Sequence, residues 1–427
     1  MTTDMGKDGM RENGMAAYVA VTAAYWAFML SDGALRMLVL LHFHTLGFSP
    51  IKLAFLFIFY EIAGIFTNLS AGWLAARFGL ASTLYAGLLI QILALIALAQ
   101  LDAGWTMSVS VLYVMLVQGA SGVAKDLAKM SSKSAVKLLA PDSNDGLFRW
   151  VAMLTGSKNA IKGLGFLLGA GLLAIWGYYA AIWGMAAVLV VILLVIALKM
   201  PAGLPTGRKD AKFTELLSKN RNINWLSFAR VFLFGARDVW FVVGIPIYFH
   251  SALSDGTHDG ARQAFFLVGT FMAIWIILYG IVQANAPRLL KAKTRQLHDL
   301  AASAQHWAMI LACVPAVLAV IAYLAPAPTA WLTFILVIGL LVFGALFAVN
   351  SSLHSYLILA FTDKTRVTMD VGFYYMANAA GRLLGTVLSG VSYQIGGLCA
   401  CLAVAAILLF ISAIAAGRLN NNTNFRH

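Results

Sequence analysis

Twelve apolar runs limit what this chain can fold into more than any other feature. They lie near 16–43, 51–75, 80–101, 104–130, 148–175, 178–199, 223–250, 261–285, 303–324, 329–352, 368–393 and 396–417. A helix needs about 20 predominantly apolar residues to cross about 30 Å of hydrocarbon. Backbone N–H and C=O groups find no water in lipid, so such runs must close their hydrogen bonds internally, as α-helices. Composition agrees, since 61% of the residues are hydrophobic and only 11% charged, against about 25% charged in a soluble domain. The expected fold class is an all-α membrane protein with twelve transmembrane helices. The first run follows a polar N-terminus and is too long and too charged for a cleaved signal peptide.

The formal net charge of +13 could suggest a nucleic-acid partner, but the loops sort the charge by side. Lys7, Arg11, Arg77, Arg208, Lys209, Lys212, Lys219, Arg221, Arg288, Lys291, Lys293, Arg295, Lys364, Arg366 and Arg418 fall at the N-terminus, the C-terminus and the loops after even-numbered spans. The opposite loops hold little beyond Lys52 and Arg262. The positive-inside rule accounts for this excess and places both termini in the cytoplasm. The expected location is the cytoplasmic (inner) membrane, multi-pass, and no nucleic acid is expected as a partner.

Cys313, Cys399 and Cys401 lie in apolar spans with neither disulfide nor zinc spacing. No GxxxxGK[ST] phosphate loop is present, so ATP is not the expected energy source. No nucleophile–base set or cofactor loop stands out, so the chain does not read as an enzyme and no cofactor is expected.

The chain divides in two. Residues 200–222, "MPAGLPTGRKDAKFTELLSKNRN", form the one long polar interior segment, within which "FTELLSK" could be a short surface helix. The expected domains are an N-terminal six-helix bundle at 1–199, a cytoplasmic linker at 200–222 and a C-terminal six-helix bundle at 223–427. Short matches recur in the same order on both sides: "DGALRMLVLLHFH" (32–44) with "DVWFVVGIPIYFH" (238–250), "GIFTN" (64–68) with "GIVQAN" (280–285), and "SKNAIKGLGFLLG" (157–169) with "ANAAGRLLGTVLSG" (377–390). Two six-helix halves related by an axis along the membrane normal, with substrate between them, is the major facilitator architecture. "GWLAARFGL" (72–80) resembles the loop signature of that superfamily at Gly72, Leu74, Arg77 and Gly79, and departs from it at Ala76, where an acid is usual.

Within the spans, charge is the anomaly. "SGVAKDLAKMSSKSAVK" (121–137) sets Lys125, Lys129, Lys133 and Lys137 four apart on one slowly drifting helix face. "LTGSKNAIKGLGFLLG" places Lys158 and Lys162 four apart in the fifth span. Lys133 and Lys137 read as interfacial lysines that snorkel to the headgroups. Lys125, Lys129, Lys158 and Lys162 lie deeper. At about 2.5–3.5 kcal/mol per charge near the bilayer centre, the set would cost about 10–14 kcal/mol without a wet cavity or counter-charges. Arg36, Arg230, Arg237 and Arg382 add intramembrane cations against Asp32, Glu61, Asp126 and Asp238. Asp32 and Arg36, one turn apart, could pair along the first helix. Asp126 adjoins Lys125, but sequence neighbours on a helix point about 100° apart. Arg237 and Asp238 are expected to pair with other helices. Cations remain in surplus, and a cavity of that sign suits an anion bound by lysine point charges and arginine forks.

Four segments carry a narrower likeness: "GALRMLVLLHFHTLGFSPIKLAFLFIFYEIAGIFTNLSAGWLAARFGL", "SGVAKDLAKMSSKSAVKLL", "LTGSKNAIKGLGFLLG" and "FLFGARDVWFVVGIPI". Through them the chain resembles the organoarsenical efflux permeases known as ArsJ, over roughly residues 20–415. The resemblance implies export of 1-arseno-3-phosphoglycerate, an anionic small molecule, and thereby arsenate resistance. It also implies a functional partner, a glyceraldehyde-3-phosphate dehydrogenase that makes the ester from arsenate. An exchanger or importer of ordinary organic phosphates would need the same basic cavity. A non-transporting membrane sensor is the third reading, with little soluble chain for output.

Residue roles rest on position and chemistry. Lys125, Lys129, Lys158 and Lys162 are expected to hold an anionic end from the N-terminal half. Arg237, Arg382, Asn350 and His354 would contribute from the other half, and Arg36 from either. For Asn350 and His354 an interhelical hydrogen bond is the plain alternative. Asp32, Glu61 and Asp238 are candidates for proton coupling, with structural ion pairing as the alternative. His42 and His44 fall at the outer mouth, and Trp26, Trp240 and Trp275 read as packing or interface residues.

Overall fold

The computed structural model describes residues 2–102, 104–139, 144–199, 218, 220–290, 296–325, 328–362 and 367–419. Side chains at 2–18, 71–73, 75–76, 80, 133–156, 199, 258 and 367–369 are outside that description. Most of the expected linker, and the side chains of Lys133, Lys137 and Ala76, therefore lie outside that description. Helices follow one another as α1 (Thr2–Thr45), α2 (Pro50–Phe55), α3 (Ile58–Phe78), α4 (Leu80–Leu98), α5 (Met107–Leu139), α6 (Asn144–Lys199), α7 (Arg221–Val239), α8 (Ile245–Leu253), α9 (His258–Leu289), α10 (Leu297–Leu324), α11 (Ala330–Phe361) and α12 (Val367–Ala416). There is no strand among the described residues.

Among the described residues, ten stretches are long and apolar enough to cross a membrane. Two of them, Ser157–Leu198 with 42 residues and Asp370–Ala416 with 47 residues, are about double the length one crossing needs. Each is broken at glycine. Gly177 has φ 74 and ψ −177 in α6, while Gly396 and the left-handed Gly397 (φ 59) interrupt α12. Those breaks fall at the joints expected between 148–175 and 178–199, and between 368–393 and 396–417. Counting two crossings for each broken stretch turns ten into twelve.

Two other spans are bent rather than broken. Leu56 and Phe57 separate α2 from α3. Between α7 and α8 lies a π turn, Trp240–Gly244, in which the Ile245 N–H reaches back five residues to the Trp240 carbonyl. Pro246 follows and has no N–H to return to the ladder. The irregular turn is compensated from outside the helix, because Ser389 Oγ of α12 accepts from the N–H groups of Val243 and Gly244 at 3.2 and 3.3 Å. Buried backbone at membrane depth tolerates a π turn when a neighbouring side chain takes up the freed groups.

Helix packing follows a repeated plan. α1 lies along α6 and α7 along α12, while α6 meets α9 and α3 meets α12 across the two halves. Glycine makes both intra-half contacts possible. A Cβ on Gly169 would stand 2.1 Å from the Ala34 carbonyl oxygen, and one on Gly381 2.3 Å from that of Val231. Phe28, Leu35, Phe43 and Phe57 fill the core of the first half; Trp240, Trp275, Phe343 and Phe347 fill that of the second. Trp240 and Trp275 meet edge to face, and Trp275 Nε1 donates to the Leu340 carbonyl at 2.7 Å. The periphery is apolar instead of charged, with Ile175, Trp176, Val191, Leu198, Val320 and Ile395 exposed. Such a surface suits acyl chains, and in water it would be an aggregation hazard.

Candidate functional site

The buried charges of both halves meet between the helices. On α1, Asp32 is nearly enclosed and accepts a hydrogen bond from Tyr60 Oη of α3 at 2.6 Å. Lys162 of α6 approaches its other oxygen more loosely, at 3.9 Å. One turn along α1, Arg36 Nη1 lies 3.1 Å from Glu61 Oε1. The Glu61 side chain is 0% exposed and also receives Arg382 Nη2 of α12 at 2.5 Å. Arg382 continues to Asp238 Oδ2 on α7 at 3.9 Å, and Asp238 is gripped by its neighbour Arg237 at 2.5 Å. The chain of charges thus runs from α1 through α3 and α12 to α7, crossing the boundary between the halves at Glu61 and Arg382.

Lys125 of α5 has a different environment. It is buried, and its Nζ sits 3.9 Å from the centroid of the Tyr60 ring. No carboxylate among the described residues lies within ion-pair distance of it. Cation–π contact gives part of the lost hydration back but cancels no charge. One turn away, Lys129 Nζ lies 2.7 Å from Asp126 Oδ1 and 2.5 Å from Asn68 Oδ1. Thr67 Oγ1 donates to the other Asp126 oxygen at 2.5 Å. Lys158 is half-buried on α6, beside Asn159, whose amide donates to Gln283 Oε1 of α9 at 3.0 Å.

Several pairings differ from those expected. Asp32 and Arg36 do not pair along α1; each turns to α3, where Tyr60 and Glu61 are presented side by side. Asp238 reaches another helix as expected, at Arg382 of α12, but Arg237 pairs with its neighbour Asp238, because the long arginine stem can fold back over one residue. Lys129, expected to be without a local counter-charge, has one in Asp126, three residues before it on the same face. Asn350 and His354 are fully buried on α11, and among the described residues neither side chain has a hydrogen-bond partner. They stand apart from the ion-paired chain, near Arg230.

Tyr60, Thr67, Asn68 and Asn378 are further contacts, absent from the expected site, and Arg230 carries no expected role. The usable signal was the tract "FYEIAGIFTN" (59–68), where polar side chains recur on one helix face in an apolar span. Among the described residues, no group of three or more His, Cys, Asp or Glu could hold a metal ion. The three cysteines are free thiols.

Around this site, Arg36, Lys125, Lys129, Lys162, Arg237 and Arg382 give six cations against the four carboxylates of Asp32, Glu61, Asp126 and Asp238. The arrangement can neutralise and desolvate an anion that enters it.

The sequence matches the family described as Major Facilitator Superfamily over residues 18–358. No curated protein matches it in sequence. In fold the chain is similar to a crystal structure of a mutant of the nucleoside transporter NupG, with TM-score 0.68 and 18% identity, covering 95% of this chain and 98% of that one. It is also similar to a POT family transporter crystallised with 5-aminolevulinic acid, with TM-score 0.69 and 13% identity, covering 93% of this chain and 94% of that one. The POT family transporter in complex with a thioalcohol conjugated peptide gives TM-score 0.69 and 12% identity, with the same coverage of 93% and 94%. At such identities the likeness is one of fold.

Proposed function

The chain belongs to the major facilitator superfamily, and from that premise we propose that it exports 1-arseno-3-phosphoglycerate from the cytoplasm. The supporting observation is the cationic surplus of the buried cluster, above all Lys125, which rests on the Tyr60 ring with no carboxylate among the described residues within ion-pair distance. A small polyanion would supply the missing charge, and lysines act as adaptable point donors to phosphate-like groups. The cluster is shared by two halves, as alternating access requires of a site that is exposed to each side in turn.

In this proposal Lys125, Lys129, Lys158, Lys162 and Arg36 act from a bundle at 1–199. Arg237, Arg382, Asn350 and His354 act from a bundle at 223–427, and residues 200–222 link them in the cytoplasm. The membrane is the cytoplasmic one, with both termini inside. Asp32 is the first choice for proton coupling among Asp32, Glu61 and Asp238. Its nearest cation is 3.9 Å away, whereas Glu61 and Asp238 are each held by an arginine at 2.5 Å. A glyceraldehyde-3-phosphate dehydrogenase would provide the ester.

Resistance and transport test this reading together. Expressed alone in an arsenic-sensitive cell, the permease should give little arsenate resistance and none to arsenite; adding the dehydrogenase should restore arsenate resistance. Everted vesicles should accumulate the arsenylated ester, faster with a pH gradient. Protection from arsenite, or from arsenate without the dehydrogenase, would overturn the assignment. A second reading is favoured by the ion pairing of all three candidate coupling acids: a carrier with fixed counter-charges can exchange ordinary organic phosphates without protons. Equal transport of 3-phosphoglycerate, indifferent to pH gradient, would select it.

A further inference from the structure

Among the described residues, Arg230 is the one intramembrane arginine that the central cluster does not use. It is 4% exposed, and among the described residues no carboxylate pairs with it. Its contacts are neutral. Nε donates to Asn378 Oδ1 at 3.2 Å, Nη1 donates to the Ser351 carbonyl at 2.9 Å, and the guanidinium lies over the rings of Phe234 and Tyr374 at 4.1 and 4.8 Å. The Ser351 carbonyl places it beside Asn350 and His354 on α11, and Arg230 is the charged group that acts on the His354 ring. Both side chains are fully buried with their polar atoms unpartnered. A buried cation without a counter-ion and buried polar atoms without partners are each unfavourable in a membrane protein. The Arg230 guanidinium, the Asn350 amide N–H groups and the His354 ring N–H are together the donors that an anionic oxygen group needs.

Arg230 is also linked in space to the central cluster. Phe234 carries Arg230 and Arg237 on the same ring, at 4.1 and 4.8 Å from its centroid. The two guanidiniums are therefore no further apart than those distances combined. Seven residues are close to two helical turns, so both project from one face of α7.

We propose that Arg230, with Asn378, Asn350 and His354, forms a second anion position that holds the far end of a two-headed substrate whose other end lies in the central cluster. The proposal rests on the organic-anion reading above and narrows it to small molecules with an anionic group at each end of a short carbon chain. Arginine recognises such an end, whether phosphate or carboxylate, through its planar fork.

The test uses purified full-length protein and ligand-dependent melting. The probes are 3-phosphoglycerate, with two anionic ends, glycerol 3-phosphate, with one, and inorganic phosphate. Arg230→Gln should melt at or above the wild-type temperature without ligand, since it removes an uncompensated charge. Its Kd for 3-phosphoglycerate should weaken at least tenfold, while its Kd for glycerol 3-phosphate stays within twofold of wild type. Equal loss for both organic phosphates, or no loss for either, would refute the second position. So would a ligand-free Arg230→Gln protein that melts several degrees lower, which marks a structural arginine. If inorganic phosphate binding falls from two ions to one while 3-phosphoglycerate is unaffected, the position takes a free ion and the two-headed substrate is refuted. Lys125→Gln separates the two readings. Weakening by Lys125→Gln alone removes this proposal and keeps the central one, whereas wild-type protein that binds neither organic phosphate removes this proposal and leaves the central one to the arsenylated-ester transport above.

Discussion

Each half sets an acid of its first span against a cation of its fifth, and the two pairs differ in how they are finished. Asp32 and Lys162 stand 3.9 Å apart in one half, Asp238 and Arg382 3.9 Å apart in the other. The backbone beneath them repeats too. Lys162 and Arg382 each precede a glycine by three residues, and a Cβ on Gly165 or Gly385 would come within 2.5 Å of a carbonyl oxygen on the opposed helix. Beyond that shared frame the chemistry diverges. Asp32 is completed by the neutral Tyr60, and its half is furnished with lysines. Asp238 is completed by the guanidinium of Arg237, and Arg382 reaches out of its own half to Glu61. The repeat fixes where these charges go; the side chains decide that Asp32 meets its cation loosely and Asp238 is gripped.

Glu61→Gln breaks this comparison most severely, because Glu61 is the carboxylate that ties Arg36 to Arg382 and so one half to the other. Breaking a buried pair while leaving its cations in place costs about 3–5 kcal/mol. We expect a clear fall in melting temperature and transport below about a hundredth of wild type, on the scale of that same loss. Asp238→Asn should cost less, since Arg382 keeps Glu61. Melting curves and vesicle transport for the two variants decide it; equal losses would mean that the halves are not joined through Glu61.

The frame was legible in the sequence, and most of the pairing was not. Apolar run length marked the spans, and the glycines at 177 and 396–397 fell at the expected joints. The recurrence of Asp32 as Asp238, and of the Lys162 segment as the Arg382 segment, was visible as weak repeats. Contact between Glu61 and Arg382 was not, because the partners are 321 residues apart and nothing local encodes it. Lys129 with Asp126 was readable at a spacing of three, but Lys125 and Lys129 both lie within a turn of that acid, and sequence alone does not say which one reaches it. Arg230 showed only as one more cation, since what singles it out is the carboxylate that its neighbours lack.

Lys125 and Lys129 bring the next largest difference. They are one turn apart on α5, yet Lys129 is ion-paired with the fully buried Asp126, whereas Lys125 acts on Asp126, Glu61 and Asp32 from beyond ion-pair distance. Lys129→Ala removes the ion pair of that carboxylate. The expected loss is about 2–3 kcal/mol, below the range for a fully buried pair because the lysine retains some solvent. Lys125→Ala should leave stability near wild type and remove transport. Adding Asp126→Asn to Lys129→Ala should recover most of the stability. A Lys129→Ala protein as stable as wild type would show that the pair bears no load.

Gly165→Ala and Gly385→Ala test the shared frame itself. Each methyl would press on a carbonyl of the neighbouring helix, and overpacking of this kind costs about 1–3 kcal/mol. The two losses should agree within about 1 kcal/mol, since the close approach is the same in both halves. A loss in one variant alone would mean that the repeat is a likeness of sequence without a likeness of packing.

Lys162→Arg should have the smallest effect, and that smallness sharpens the contrast between the halves. Lys162 makes one loose approach to Asp32 at 3.9 Å and lies 5.8 Å from the Phe166 ring centroid, with part of its side chain open to solvent. Nothing there requires a lysine's geometry, and a guanidinium on a longer stem can reach the same oxygen. We expect stability within about 0.5 kcal/mol of wild type, the range of a substitution that disturbs no tight contact, and substrate affinity within a few-fold. The reasoning reverses at Arg382, where one planar group serves Glu61 and Asp238 together and an ammonium cannot do both. If melting and binding measurements show Lys162→Arg to be as damaging as Arg382→Lys, the slack attributed to the first half does not exist, and its lysine is as closely fitted as the arginine it mirrors.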